Sequence, residues 1–122
     1  MSVFSEAELA YLAEGDKLGR LGTVDPDGTP NVVPLGWNYH PKHDTIDIGG
    51  RNFAATRKFR NVIANPAVGF VVDDVLPPWR PRAVQVRGIA EALNSASWPD
   101  GQPREAIIRI TPIRVISWGL ED

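Results

Sequence analysis

GGRNFAATRKFRNVIANPAVGFVVDD, residues 49–74, contains the clearest structural signals in the chain. A glycine pair and an arginine precede Thr56, and a short amphipathic segment follows until the dipeptide Asn65-Pro66 stops it. Thr56 is a good N-cap residue because its hydroxyl can accept a hydrogen bond from a backbone N–H of the first turn. The pattern predicts a helix over residues 56–64 and a buried apolar strand over residues 67–72.

Basic side chains are concentrated around the start of this helix, at Arg51, Arg57, Lys58 and Arg60. The whole chain has a formal net charge of -2, so this local excess of cations is not a consequence of overall composition. A helix N-terminus presents free N–H groups and the positive end of the helix dipole, and both attract anions. The segment therefore predicts a phosphate site, while the alternative is a solvated basic face.

Composition indicates one globular domain over residues 1–122, with 43% hydrophobic residues. Eleven glycines and eleven prolines favour many turns and short strands, and the absence of cysteine excludes disulfides and thiolate catalysis. No segment has the pattern of a signal peptide or a membrane span, so we expect a cytoplasmic protein with no membrane partner. The mildly acidic charge balance argues against nucleic-acid binding.

Short strands and one further helix account for the rest of the pattern. Residues 5–14 predict a helix in which Ser5 and Glu8 form a capping box. A turn at residues 25–28 joins two predicted strands, over 18–24 and 30–39.

Further strands are expected over residues 45–48, 82–93 with a bulge at Gly88, and 105–118 with a break at Thr111-Pro112. Phe59, Val62 and Ile63 predict the core-facing stripe of the central helix. About six strands and two short helices favour a closed or nearly closed β-barrel.

The order of these segments resembles that of a known family. GTPNVVPLGW (28–37), TIDIGG (45–50), residues 56–74 and VQVRGIAEAL (84–93) are similar to the flavin and deazaflavin split-barrel proteins, the relatives of pyridoxamine 5'-phosphate oxidase. The ending RITPIRVISWGLED (109–122) resembles the small actinobacterial branch that uses coenzyme F420, and within it an oxytetracycline-reductase-like subgroup.

The resemblance implies a mainly β, six-stranded split barrel that forms a homodimer, with two cofactors in clefts between the subunits. It implies that the cofactor phosphate lies at the start of the central helix, the ring beside residues 31–35, and the ribityl chain near residues 48–50. It also implies that Trp79 and Trp118 lie near the ring, contributed either by the same subunit or by its partner. The cofactor-binding residues so implied are Val33, Pro34, Leu35, Ile48, Gly49, Gly50, Arg51, Thr56, Arg57, Lys58, Trp79 and Trp118.

Two departures from pyridoxamine phosphate oxidase argue against that activity and, less strongly, against FMN, and they are compatible with the deazaflavin branch. The strand NVVPLG lacks the cations that hold FMN in that enzyme, and no basic C-terminal part for the substrate phosphate follows. The expected activity is hydride transfer from reduced deazaflavin to a conjugated small-molecule acceptor. The alternatives are an FMN-binding oxidase or flavin reductase, and a non-enzymatic carrier of deazaflavin or another planar ligand.

No catalytic acid is selected by the sequence: water, Tyr39 or His40 could supply the proton. His40 and His43 have H-x-x-H spacing, but a metal site needs further ligands, so we expect a solvent-exposed turn and no metal. Asp73-Asp74 is expected to face solvent at a strand end. Trp37 is assigned either to the substrate pocket or to the core.

Overall fold

The structure, a computed structural model, describes residues 1–120 as a curled β-sheet with two α-helices. The helices are α1 (Glu6–Ala13) and α2 (Arg57–Ala64), and a 3₁₀ turn covers Phe53–Ala55. The strands are β1 (Gly19–Val24), β2 (Pro30–Leu35), β3 (Asn38–His40), β4 (Thr45–Gly49), β5 (Ala67–Leu76), β6 (Arg80–Leu93), β7 (Ala96–Ser97), β8 (Pro103–Arg104) and β9 (Ile107–Trp118). None of the helices among these residues is long and apolar enough for a membrane crossing.

Both α-helices begin where their capping residues predict. The Ser5 hydroxyl accepts from the N–H of Glu8 at 3.1 Å, and the Glu8 carboxylate accepts from the N–H of Ser5 at 2.8 Å. At α2, the Thr56 hydroxyl accepts from the N–H of Phe59 at 3.3 Å and donates to the carbonyl of Phe53 at 2.7 Å. The capping box and the N-cap are therefore confirmed.

The main sheet has seven strands in the order β2-β1-β5-β6-β9-β4-β3, with β7 and β8 paired apart from it. The single strand predicted over residues 30–39 is wrong, because β2 and β3 lie at opposite edges of the sheet. Only Gly36 and Trp37 separate these strands, so the Cα atoms of Leu35 and Asn38 are at most about 11 Å apart. The two edges must therefore approach each other, which curls the sheet into the expected split barrel.

Trp37 explains why the chain leaves one edge and joins the other. Its indole packs edge-on against Phe70, with ring centroids 6.0 Å apart, and its N–H donates to the carbonyl of Lys17 at 2.9 Å. Of the two roles predicted for Trp37, the structure supports core packing.

Strand β5 alternates in burial, which corrects the prediction of a fully buried strand. Val68, Phe70 and Val72 face the core, while Ala67 and Gly69 are exposed on the outer face. The predicted bulge at Gly88 is confirmed by a register shift between β6 and β9, and β9 continues through the predicted break.

Helix α2 is rotated relative to the predicted stripe. Phe59 and Val62 are buried as expected, but Ile63 is 67% exposed, so its assignment to the core is wrong. Asn61 is buried instead, and its side-chain amide donates to Thr23 at 3.2 Å and to Asp25 at 2.9 Å. These two bonds fix α2 against the first hairpin and turn Ile63 outward.

The Asp73-Asp74 dipeptide lies within β5 and not at a strand end, and alternation separates its two side chains. Asp73 faces solvent as expected, whereas Asp74 is half-buried. Asp73 pairs with Arg20, whereas Asp74 accepts from Tyr11 at 2.8 Å and from Arg82 at 2.6 Å. Arg82 also pairs with Glu14 at 3.0 Å, so this arginine belongs to a structural network.

Candidate functional site

A small cavity of about 210 Å³ lies beside the start of α2. Thr23, Asn31, Val33, Arg57 and Lys58 line it. The fold thus brings together two segments that are far apart in sequence, the strand containing Val33 and the basic helix start. Thr23 belongs to no recognisable sequence motif. Its place in the cavity follows only from the pairing of β1 with β2.

The basic side chains at this helix start differ in how strongly each already interacts with other groups of the protein. Arg57 is 3.8 Å from Asp25 and its side chain is 67% exposed, and Arg60 donates to the carbonyl of Ala55 at 2.6 Å. Lys58 is half-buried, lies 5.3 Å from the centroid of the Phe53 ring, and has no ion pair within residues 1–120. Lys58 is therefore the best placed of these cations to bind an anionic ligand.

Thr56 and the backbone of the first turn add to this positive potential. The Thr56 hydroxyl satisfies the N–H of Phe59, and the first residues of any α-helix have N–H groups without intrahelical partners. Arg51 is exposed in the loop before the 3₁₀ turn. The nearby Asp25 carboxylate stays ionised because hydrogen bonds from Asn61 and Asn31, with the charge of Arg57, lower its pKa.

Strand β2 contributes backbone groups to the same region. It is an edge strand that pairs only with β1, so one side of its backbone is not used by the sheet. Val33 and Pro34 are exposed and Leu35 is half-buried. Amide and carbonyl groups on a free strand edge can hydrogen-bond the polar edge of a ring system, while Val33 offers apolar contact.

The predicted ribityl segment, residues 48–50, is closely packed at Ile48 and Gly49, whereas Gly50 is exposed. Ile48 is fully buried, so only its backbone can contact a ligand. A Cβ at Gly49 would lie 3.4 Å from the Trp98 ring, and one at Gly50 would lie 3.4 Å from the Phe53 ring. The space beside Gly49 is therefore bounded by the protein's own side chains and not by an open channel.

A larger cavity of about 600 Å³ lies on the other side of the 3₁₀ turn. It is lined by Gly50 and the 3₁₀ turn, and by Arg104 and Glu105 next to β8. The sequence interpretation missed Arg104 and Glu105 because they occur in a polar, turn-rich stretch without a recognisable motif.

Trp79 and Trp118 do not line either cavity, although they are 75% and 47% exposed. Across the sheet, Trp118 of β9 pairs with Ala83 of β6, and Ala83 pairs with Asp73 of β5. Asp73 lies four residues along β5 from Gly69, which pairs with β1. Four residues of strand extend about 13 Å, and two further strand spacings add about 10 Å across the sheet. Measured along the sheet, Trp118 thus lies away from the point where Gly69 pairs with β1, and neither tryptophan lines the cavity at Lys58 in one protomer.

The two candidate proton donors also lie elsewhere. The Tyr39 hydroxyl donates to Asp44 at 2.6 Å, and its pKa is raised by burial and by this hydrogen bond. His40 is only 5% exposed, which corrects the prediction of a solvent-exposed turn, whereas His43 is exposed. Within residues 1–120, no group of three His, Cys, Asp or Glu side chains could hold a metal ion.

The residues present fit a flavin-type cofactor only in part. An unpaired lysine at a helix start suits a phosphate, and the apolar edge strand suits the adjoining ring. The volume of about 210 Å³ is below the roughly 300–1,000 Å³ of complete ligand sites. The cavity of one protomer is therefore too small to enclose a complete flavin-type cofactor.

Comparison with known proteins finds two relatives that are both named as reductases. The chain is 42% identical over 123 residues to the 5a,11a-dehydrotetracycline/5a,11a-dehydrooxytetracycline reductase of Streptomyces rimosus, covering 97% of this chain and 84% of that protein. A solved structure named F420 Reductase superposes with a TM-score of 0.64 and 26% identity, covering 87% of this chain and 94% of the other.

A conserved hypothetical protein of Mycobacterium tuberculosis has the same fold, with a TM-score of 0.72 at 23% identity, covering 96% of this chain and 86% of the other. The family model described as Pyridoxamine 5'-phosphate oxidase matches residues 5–119. The chain therefore belongs to the split-barrel family of pyridoxamine 5'-phosphate oxidase.

Proposed function

We propose that this protein is an oxidoreductase that uses coenzyme F420 to reduce a conjugated small-molecule acceptor. The observation that carries the proposal is Lys58, half-buried beside the edge strand β2 and without an ion pair within residues 1–120. The reductase from Streptomyces rimosus, at 42% identity, supports the reaction class, and the structure named F420 Reductase, at 26% identity, supports the cofactor.

In this proposal the chain's own residues bind and orient the cofactor. Lys58, Arg57 and the first-turn N–H groups of α2 hold the anionic linker, with Thr56 fixing the helix start. Val33, Pro34 and Leu35 flank the ring through the free edge of β2. When bound, the reduced cofactor would supply a hydride to an electron-poor double bond of the acceptor.

We propose that a second copy of the chain completes the site. Large apolar side chains are exposed in one protomer, among them Val32 and Ile113 at 67% each and Trp79 at 75%. Exposed apolar surface of this kind is typical of subunit interfaces. In the dimer, Trp79 and Trp118 of the partner subunit would supply the missing wall beside the ring.

Parallel titrations of the purified protein with coenzyme F420 and with FMN test the proposal. Saturable quenching of F420 fluorescence, followed by oxidation of reduced F420 in the presence of a dehydrotetracycline acceptor, would support it. Tight binding of FMN without binding of F420 would favour an FMN-dependent oxidase or reductase. Tight binding of F420 with no turnover of any conjugated acceptor would favour a carrier.

A further inference from the structure

A third cavity, which shares no lining residue with the one at the start of α2, lies where the turn between β3 and β4 meets the β7–β8 hairpin. Its volume is about 500 Å³, within the range of small-molecule sites. His40, Lys42, His43 and Arg109 line its polar side, and Leu93 and Trp98 line its apolar side. None of the lining residues carries a carboxylate.

His40 is the unusual member of this lining. Its side chain is buried, and neither ring nitrogen has a hydrogen-bond partner within residues 1–120. The ring packs against that of His43, with centroids 4.7 Å apart. Leaving a buried polar group unpaired costs roughly 1–3 kcal/mol. Both ring nitrogens are closed off from solvent, so a ligand removes this penalty when the His40 ring or the adjoining turn shifts to admit it.

Arg109 provides a fixed cation on the adjoining wall. Its Nε and Nη2 donate to the fully buried Asp47 at 3.2 and 2.9 Å, and Nη2 also donates to the carbonyl of Ser97 at 3.1 Å. These bonds hold the guanidinium rigidly, and they leave Nη1 without a hydrogen bond among the described residues. Lys42 adds a mobile, exposed ammonium group at the rim.

The electrostatic potential in this cavity is mainly positive, which determines the charge of the ligand it favours. Partial desolvation and the charges of Arg109, His40 and Lys42 lower the pKa of the exposed His43, and only Asp47 opposes them. Such surroundings disfavour a metal cation at the H-x-x-H turn and favour an anion. The Leu93 and Trp98 side chains provide apolar contact beside the cationic groups.

We propose that this cavity binds a small organic carboxylate with a flat apolar body. The carboxylate lies against Arg109, Lys42 and the two imidazoles, and the apolar body lies against Trp98. The site does not depend on the proposed cofactor function, because it shares no lining residue with the cavity at Lys58.

Histidine NMR spectroscopy tests this proposal directly, because the chain contains only two histidines. Benzoate is the probe, and neutral benzamide is its matched control. The proposal predicts that benzoate shifts both imidazole Cε1–H resonances saturably and raises the pKa of His43, since a bound anion favours the protonated ring. Benzamide should cause neither change.

Two lysine variants locate the site. Lys42→Ala, at an exposed position, should weaken benzoate binding by about two- to fivefold, the range for an exposed ion pair. Lys58→Ala, at the other cavity, should leave benzoate binding unchanged. Absence of a saturable shift, equal binding of benzamide, or weakening by Lys58→Ala in place of Lys42→Ala would overturn the proposal.

Discussion

Replacement of Lys58 by alanine should weaken cofactor binding more than replacement of any other cation at the start of α2. The Lys58 ammonium is half-buried and has no ion pair within residues 1–120, so its whole charge is available to a ligand. A hydrogen bond to a charged group contributes about 1.5–3 kcal/mol, which predicts a loss of roughly 10- to 150-fold in affinity.

The structure predicts a smaller effect for the neighbouring arginine. Arg57 is 67% exposed and already lies 3.8 Å from Asp25, so its charge is shared and screened. An exposed pair of this kind contributes about 0.2–1 kcal/mol, so Arg57→Ala should weaken binding by roughly fivefold or less. Lys42→Ala, in the turn between β3 and β4, should have no effect and serves as the control.

Fluorescence titration with coenzyme F420 at fixed ionic strength measures all three dissociation constants. Circular dichroism of each variant would establish that the fold is retained. Equal dissociation constants for the wild type and Lys58→Ala would refute the assignment of the anion site. A larger loss for Arg57→Ala than for Lys58→Ala would refute the argument from burial and competing ion pairs.

Three predictions concern the framework that positions this site. Asn61→Ala removes the hydrogen bonds of 3.2 and 2.9 Å that hold α2, and urea unfolding should report a loss of about 2–3 kcal/mol. Arg82 lowers the pKa of Asp74, so this carboxyl stabilises the fold above about pH 4 and loses the effect as pH falls through its lowered pKa. Urea midpoints of Asp74→Asn should therefore fall less steeply on acidification than those of the wild type. Gly88→Ala places a Cβ 2.7 and 2.8 Å from two atoms of β9 and should lower the free energy of unfolding by about 1–3 kcal/mol in urea titrations, whereas Gly69→Ala, with no atom within 4 Å, should not.

Local signals in the sequence predicted the elements well because each rests on interactions within a few residues. Ser5 with Glu8, and Thr56 with Phe59, satisfy backbone groups of their own helix, so capping is visible without the tertiary structure. The break between β2 and β3 was missed because it depends on Trp37 packing against a distant strand.

The same contrast between local and long-range interactions applies to the burial of individual side chains. Ile63 fits a core stripe by spacing, yet hydrogen bonds from Asn61 to the first hairpin rotate the helix and expose it. The polar residues next to His40 in the sequence predict an exposed turn. In the structure His40 is buried, and it shares a cavity with residues of the β7–β8 hairpin and with Arg109. Spacing along the chain contains no information on these long-range contacts.

The candidate site was predicted in part for similar reasons. Arg57, Lys58 and Val33 do line one cavity, as the resemblance implies. Trp79 and Trp118 lie away from that cavity in a single protomer. Their role near the ring therefore stays a prediction that depends on a second subunit.

A crystal structure of the protein with coenzyme F420 tests the central claim most directly. The account predicts that the anionic linker lies within hydrogen-bond distance of the Lys58 ammonium and the first-turn N–H groups of α2, with the ring against the free edge of β2. A linker bound elsewhere, with Lys58 in contact only with solvent, would contradict it.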